Sequence, residues 1–202
     1  MGQRCVISIE RSEKPLAKIY YHWSGYTGDA LYKTRDIIHC IYNNKDESDK
    51  DMLLRLIRFC EASGGGIDGG NQGAAWKYIT TMYPSESFKF DGINRSDGLI
   101  ALDTENMTDM QRMSEGDVYI DLDTDRVDFC VYCGYESLEE YVEERKSWDD
   151  DFEEFTLEEI PHVDYCLGYF DVSEIDGLVD AFDKTTDNQN VMRFKDEIVE
   201  LI

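Results

Sequence analysis

The chain has 202 residues, of which 42% are apolar and 12% aromatic: enough for a sizeable core, and too many for a wholly disordered acidic chain. A formal net charge of −24 argues against nucleic acid and anionic membrane surfaces as partners, because Lys and Arg hold both. No apolar run approaches the roughly 18 residues of a membrane span, and the first apolar residues alternate where a secretory segment would run together.

Gln3–Glu10 alternates, with Cys5, Ile7 and Ile9 on one face and Arg4, Ser8 and Glu10 on the other, which predicts a half-buried strand. Leu16–Trp23 predicts a second strand, paired with the first as a hairpin across Arg11–Pro15. Ala30, Leu31, Thr34, Ile37, Ile38, Ile41 and Tyr42 recur at helical spacing, so Asp29–Asn43 is a helix that Thr27 or Asp29 can cap. Asp51–Ala62 is a second amphipathic helix, stopped by the glycine-rich Ser63–Gly70, and Ala74–Tyr83 is a third, ended by Pro84. From Ser87 the pattern favours strands: Leu99–Leu102, then Asp117–Leu122 and Arg126–Cys133 as a hairpin about Asp123-Thr124-Asp125. Phe152–Ile160 reads as an irregular or edge strand and Val163–Phe170 as a further strand, and Ser173–Lys184 and Val191–Leu201 as closing helices. The expected architecture is one α+β domain over 1–202, an antiparallel sheet with helices packed against it.

Charge divides this domain. Residues 1–60 carry a net +2, residues 61–110 a net −5 and residues 111–202 a net −21. A near-neutral part, 1–110, is therefore followed by a strongly acidic one, 111–202. The extreme is Glu136–Glu159, with twelve Asp and Glu against Arg145 and Lys146. Ser137 and Glu140 fit a capping box for a helix whose apolar side is Leu138, Tyr141 and Val142. Its other side holds Glu139, Glu140, Glu143 and Glu144, and Asp149, Asp150, Asp151, Glu153 and Glu154 follow. Like charges four residues apart cost a few tenths of a kcal/mol per pair, so their repetition points either to a solvated face or to a contact surface. A helix rising about 1.5 Å per residue can present charge at a density near that of duplex DNA, one per roughly 1.7 Å. A basic protein surface is the natural counterpart.

Other motifs carry weaker chemistry. His22, Trp23, Gly25 and Tyr26 end a strand and enter a loop. His22 as a base and Trp23 as a stacking platform would make a ligand site with Tyr26; the alternative is a rim of the core. Gly64–Gly70 lacks the Lys of a phosphate loop and follows a helix where a dinucleotide fingerprint needs a strand, so a flexible inter-helix loop is expected. Cys130 and Cys133 resemble one zinc knuckle, which His162 and Cys166 could complete, but no second CxxC supports it and buried thiols are the alternative. Asp121–Asp125 lacks the Gly and Glu of a calcium loop. No cofactor is implied. The six scattered Cys suit a reducing cytoplasm with free thiols.

The opening Met1-Gly2-Gln3-Arg4, a strand, then His22-Trp23-Ser24-Gly25 resembles a group of small proteins from bacteriophages and mobile elements that begin M-G-x-R and carry H-W-x-G after the second strand. The resemblance covers the first third of the chain at most and implies a phage or mobile-element origin without an activity. With the acidic half, it leads to the expectation of a non-enzymatic interaction protein, an anti-defence inhibitor that mimics nucleic acid on a basic, nucleic-acid-binding host protein. The alternative is a small enzyme or ligand-binding protein with its pocket near His22, Trp23 and Gly64–Gly70.

Overall fold

A computed structural model describes residues 4–25, 27–44, 47–68, 81–88, 90–91, 98–102, 114, 116–130 and 168–185. The fold is α+β. Eight strands form one sheet: β1 (Cys5–Arg11), β2 (Lys14–Tyr21), β3 (Gly66–Asp68), β4 (Phe90–Asp91), β5 (Leu99–Ala101), β6 (Gly116–Asp121), β7 (Arg126–Cys130) and β8 (Gly168–Asp171), in the order β4-β3-β5-β2-β1-β6-β7-β8. Four pairings are antiparallel; β1–β6, β3–β4 and β3–β5 are parallel. Helices α1 (Thr27–Tyr42), α2 (Asp49–Ala62) and α3 (Ile175–Thr185) share one core with the face that presents Cys5, Ile7 and Ile9.

The first hairpin forms as expected, and its turn is tight. Ser12 and Glu13 have φ of 53° and 60°, the left-handed pair of a two-residue turn whose twist matches its strands. β1 is buried on both faces, not half-buried: Val6 and Ser8 are buried, as Ile7 is. On the second face Val6 packs with Tyr20 and Leu99 in a small apolar cluster of its own.

The apolar face of α2 is the expected one, with Met52, Leu53, Leu56, Ile57 and Cys60 buried. Ser48 caps its start by accepting from Asp51 N–H. Its end is a Schellman motif: Gly65 N–H donates to Cys60 C=O at 2.9 Å, and Gly64 N–H to Glu61 C=O at 3.2 Å. Gly64 takes φ +92°, the conformation glycine tolerates best. The rest of that segment is not the expected loop, because Gly66–Asp68 is strand β3, wholly buried. Of the expected third helix, Thr81, Met82 and Tyr83 are described; Thr81 and Met82 are helical and Tyr83 is not. β8 is the described end of the expected Val163–Phe170 strand and α3 falls on the expected Ser173–Lys184 helix, joined by a 3-10 turn over Val172–Glu174 that Asp171 and Glu174 close as a capping box. α3 lies so close to the start of α1 that a Cβ on Gly28 would sit 2.6 Å from Phe182 Cε1. The expected acidic helix from Ser137, the Phe152–Ile160 strand and the Val191–Leu201 helix lie outside the described residues.

Candidate functional site

β2 ends at Tyr21, so His22 and Trp23 leave the sheet at the start of the turn. The Tyr20 hydroxyl lies 2.8 Å from His22 Nδ1, which fixes the imidazole against the sheet. The Trp23 ring meets His22 edge-on at 4.7 Å and is 55% exposed. An exposed indole beside an oriented imidazole can stack a planar ligand. A relay for general-base catalysis needs an acid or nucleophile within reach. Among the described residues no carboxylate or thiol hydrogen-bonds to His22. Tyr26 lies outside the described residues. The glycine-rich stretch is brought to the same end of the sheet: Gly66 pairs with Leu99, and Leu99 with Tyr20. Gly64 and Gly65 are committed to ending α2, and Gly69 and Gly70 are outside the described residues.

The sheet face turned away from the helices carries a polar group that the alternation had placed in solvent. Ser8 lies in register between Lys18 on β2 and Tyr119 on β6. Lys18 is only 6% exposed. Burial pulls its ammonium below the usual lysine range, against the attraction of Glu10 and Asp117. Asp117 is half-buried, and burial pushes its carboxyl up, although Ser114 Oγ donates to it at 3.0 Å and Lys18 lies nearby. The available signal was Lys18 itself, which shares the parity of Tyr20 and Val6 in an apolar strand pair.

The Asp121–Asp125 turn uses its carboxylates internally. Asp121 accepts from Asp123 N–H at 2.9 Å and Thr124 Oγ1 at 2.7 Å, which holds its carboxyl below the usual range. Asp123 accepts from Ser12 N–H and from Arg11, tying the two hairpin turns together. Among the described residues no group of His, Cys, Asp and Glu is arranged to hold a metal ion. Of the zinc candidates, Cys130 closes β7; Cys133, His162 and Cys166 lie outside the described residues. Cys5, Cys40 and Cys60 are free thiols, and burial pushes Cys60 up to about 12, far from a reactive thiolate.

Glu139, Glu140, Glu143, Glu144, Asp149, Asp150, Asp151, Glu153 and Glu154 are all outside the described residues. Of the acidic part, 114, 116–130 and 168–185 are described; Asp123 pairs with Arg11 and Asp128 with Arg126, and the exposed carboxylates lie mainly in 168–185. There Asp171, Glu174, Asp176, Asp180 and Asp183 are all exposed, against one cation, Lys184. Asp176 and Asp183 face α1: His39 Nε2 lies 3.1 Å from the Asp176 carboxylate, and the Tyr32 hydroxyl donates to Asp183. That hydrogen bond, with some burial, pushes Tyr32 up to about 12. The described arginines mostly engage carboxylates of the near-neutral part: Arg35 with Asp36, Arg55 with Glu47, and Arg58 with Glu61 and Glu86. No helix among the described residues is long and apolar enough to cross a membrane. The chain matches no protein-family model, no curated protein and no solved structure.

Proposed function

We propose that the protein is a non-enzymatic interaction protein whose acidic part engages a basic protein surface. The observation that carries this reading is the exposure of all five carboxylates between residues 168 and 185, with Lys184 the sole cation there. These residues lie on a folded edge, β8 and α3, so the acidity belongs to an ordered surface and not only to an isolated charged run. Arg35, Arg55 and Arg58 each pair with a carboxylate of the near-neutral part, and Arg11 divides between Asp49 there and Asp123 in the acidic part. The charge surplus therefore falls to the other part, a net −21 over 111–202. Such a surface attracts cationic partners over the range of a Debye length and repels polyanions.

The finer form of the proposal joins this charge to the phage resemblance of the segment Met1–Gly25. The protein acts in the host cytoplasm as an anti-defence inhibitor, occupying a nucleic-acid-binding surface as a DNA mimic. The test is capture from host lysate on the tagged full chain at 50 and 300 mM NaCl, followed by competition with duplex DNA. Capture is expected to fall steeply with salt, to be lost when Glu143, Glu144, Asp149 and Asp150 are all changed to Lys, and to be reversed by DNA. Capture that survives both this charge reversal and the change of Asp180 and Asp183 to Lys overturns the interaction reading; capture that DNA does not displace overturns mimicry.

A ligand-binding reading rests on the Tyr20–His22 hydrogen bond with Trp23 exposed beside it. The substitutions His22→Ala and Trp23→Ala separate the two, since they leave capture intact under the first reading and remove ligand binding under the second.

A further inference from the structure

At the end of the sheet opposite Trp23, the C-terminus of α1, the N-terminus of α2 and the β6–β7 turn line a half-open cavity of about 220 Å³. Its apolar lining is Ile41, Met52 and Leu122. Its polar lining includes the carboxylates of Glu47, Asp49 and Asp125, with Arg11 the single cation among the described residues. We infer that this cavity binds an organic cation with a short apolar stem, an alkylguanidinium or alkylammonium group.

Three features select that chemistry. The first is the sign of the charge: among the described residues the lining carries three carboxylates and one guanidinium; Arg55 holds Glu47 from outside the lining, Arg11 is held by Asp49 at 3.0 Å and Asp123 at 3.5 Å, and Asp125 faces no cation. Among the described residues an anion would find no uncommitted cation there. The second is acceptor capacity. Tyr42 Oη donates to Asp125 at 2.6 Å, Arg11 Nε to Asp49, and Arg55 to Glu47. An ionised carboxylate accepts about four hydrogen bonds, so each of these keeps sites for a donor-only ligand. The partners also fix where those sites point. Asp125 is held at φ +55° while its carbonyl accepts from Val172 N–H at 2.8 Å. Burial and the same hydrogen bond push the Tyr42 phenol up, so it stays protonated as the donor of the pair. The third is shape. The volume falls below the roughly 300–1,000 Å³ of sites for drug-sized ligands, and the apolar floor suits a few methylenes rather than a hydrated metal ion. A lysine or arginine side chain of a protein and a free small amine share this chemistry.

The test is calorimetric titration of the full chain with n-butylguanidinium, its neutral analogue n-butylurea, and butyrate. Saturable binding of n-butylguanidinium is expected, about tenfold or more tighter than either comparison ligand. Asp125→Asn keeps the acceptor for Tyr42 and is expected to weaken binding about fivefold or more, as is Asp49→Asn. Asp29→Asn removes the same charge at the far end of α1, about 20 Å away, and is expected to leave affinity unchanged. Amide NMR spectra confirm folding of each variant. Equal binding of n-butylurea overturns the inference, as does equal weakening by Asp29→Asn, which would mark diffuse attraction to an acidic protein. No saturable binding overturns it too. A capped Gly-Arg-Gly peptide that binds as well as n-butylguanidinium assigns the cavity to a protein side chain; exclusion of the peptide while n-butylguanidinium binds assigns it to a free small cation.

Discussion

Asp117 occupies a sheet position where one face was expected to meet solvent. In β1 and β6 the residues in register with it and beside it are Val6, Ser8 and Tyr119, and Val6 and Ser8 are buried. Its carboxyl is pushed above the ordinary value of 3.8, first by burial and against the pull of Ser114 and Lys18. A raised folded-state pKa means that the folded protein holds this proton more tightly than the unfolded chain. The stabilisation is complete below 3.8 and is lost as pH rises through the folded value. Asp117→Asn makes the neutral form permanent and still accepts from Ser114. The variant is expected to match the wild type near pH 3 and to be the more stable at pH 7, as read from urea midpoints across that range. A less stable variant at pH 7 would show that Lys18 depends on the Asp117 charge more than Asp117 suffers from burial. Alternation alone could not reveal this, because period two identifies two faces without saying whether the second is covered. His22 and Trp23 were legible as a polar end to an apolar strand; the hydrogen bond from Tyr20, two residues earlier on β2, was not, since spacing places two side chains near one another without fixing their rotamers.

Among the elements, α1 and α2 are joined by one side chain. Arg55 on α2 donates from Nε to Cys40 C=O at 2.8 Å and from Nη2 to Ile41 C=O at 3.0 Å, serving carbonyls that α1 leaves unpaired at its end. Its Nη1 reaches Glu47 in the connection between them. Arg55 and Glu47 are 25% and 16% exposed, so neither is freely solvated. Arg55→Met keeps the stem but strands two carbonyls and a carboxylate, and is expected to cost about 2–3 kcal/mol of stability. Arg35, paired with its neighbour Asp36 and set over the Tyr32 ring, provides the comparison: Arg35→Met is expected to cost under about 1 kcal/mol in the same urea titration. Equal losses would mean that Arg55 is no more than another surface charge. The apolar stripes of α1 and α2 were readable residue by residue because helical periodicity repeats over several turns. β3 was not, since three residues beside glycines carry no period. It is a strand because β4 and β5 pair with it on either side. The parallel β1–β6 pairing sets Cys5 beside Gly116 and Ile9 beside Ile120, across so much intervening chain that it leaves no local trace.

At the scale of the molecule, 20 cations cannot neutralise 44 carboxylates, and the described cations are spent mainly within the near-neutral part. The acidic part therefore repels itself, and that repulsion opposes folding in the same measure as it attracts cationic partners. Salt distinguishes this from a balanced surface. The Debye length shortens from about 30 Å at 0.01 M to about 8 Å at 0.15 M, which screens repulsion across the molecule while leaving short ion pairs such as Arg55–Glu47 nearly intact. Thermal stability is expected to rise by about 2–6 °C over that interval, equivalent to roughly 1–2 kcal/mol for a chain of this size, and then to level off. Sucrose at matched osmolality provides the control, because it favours compact states without screening charge. A melting temperature that stays flat or falls with salt would mean that the carboxylates are already matched by intramolecular cations. The long-range field on which capture of a basic partner depends would then be absent.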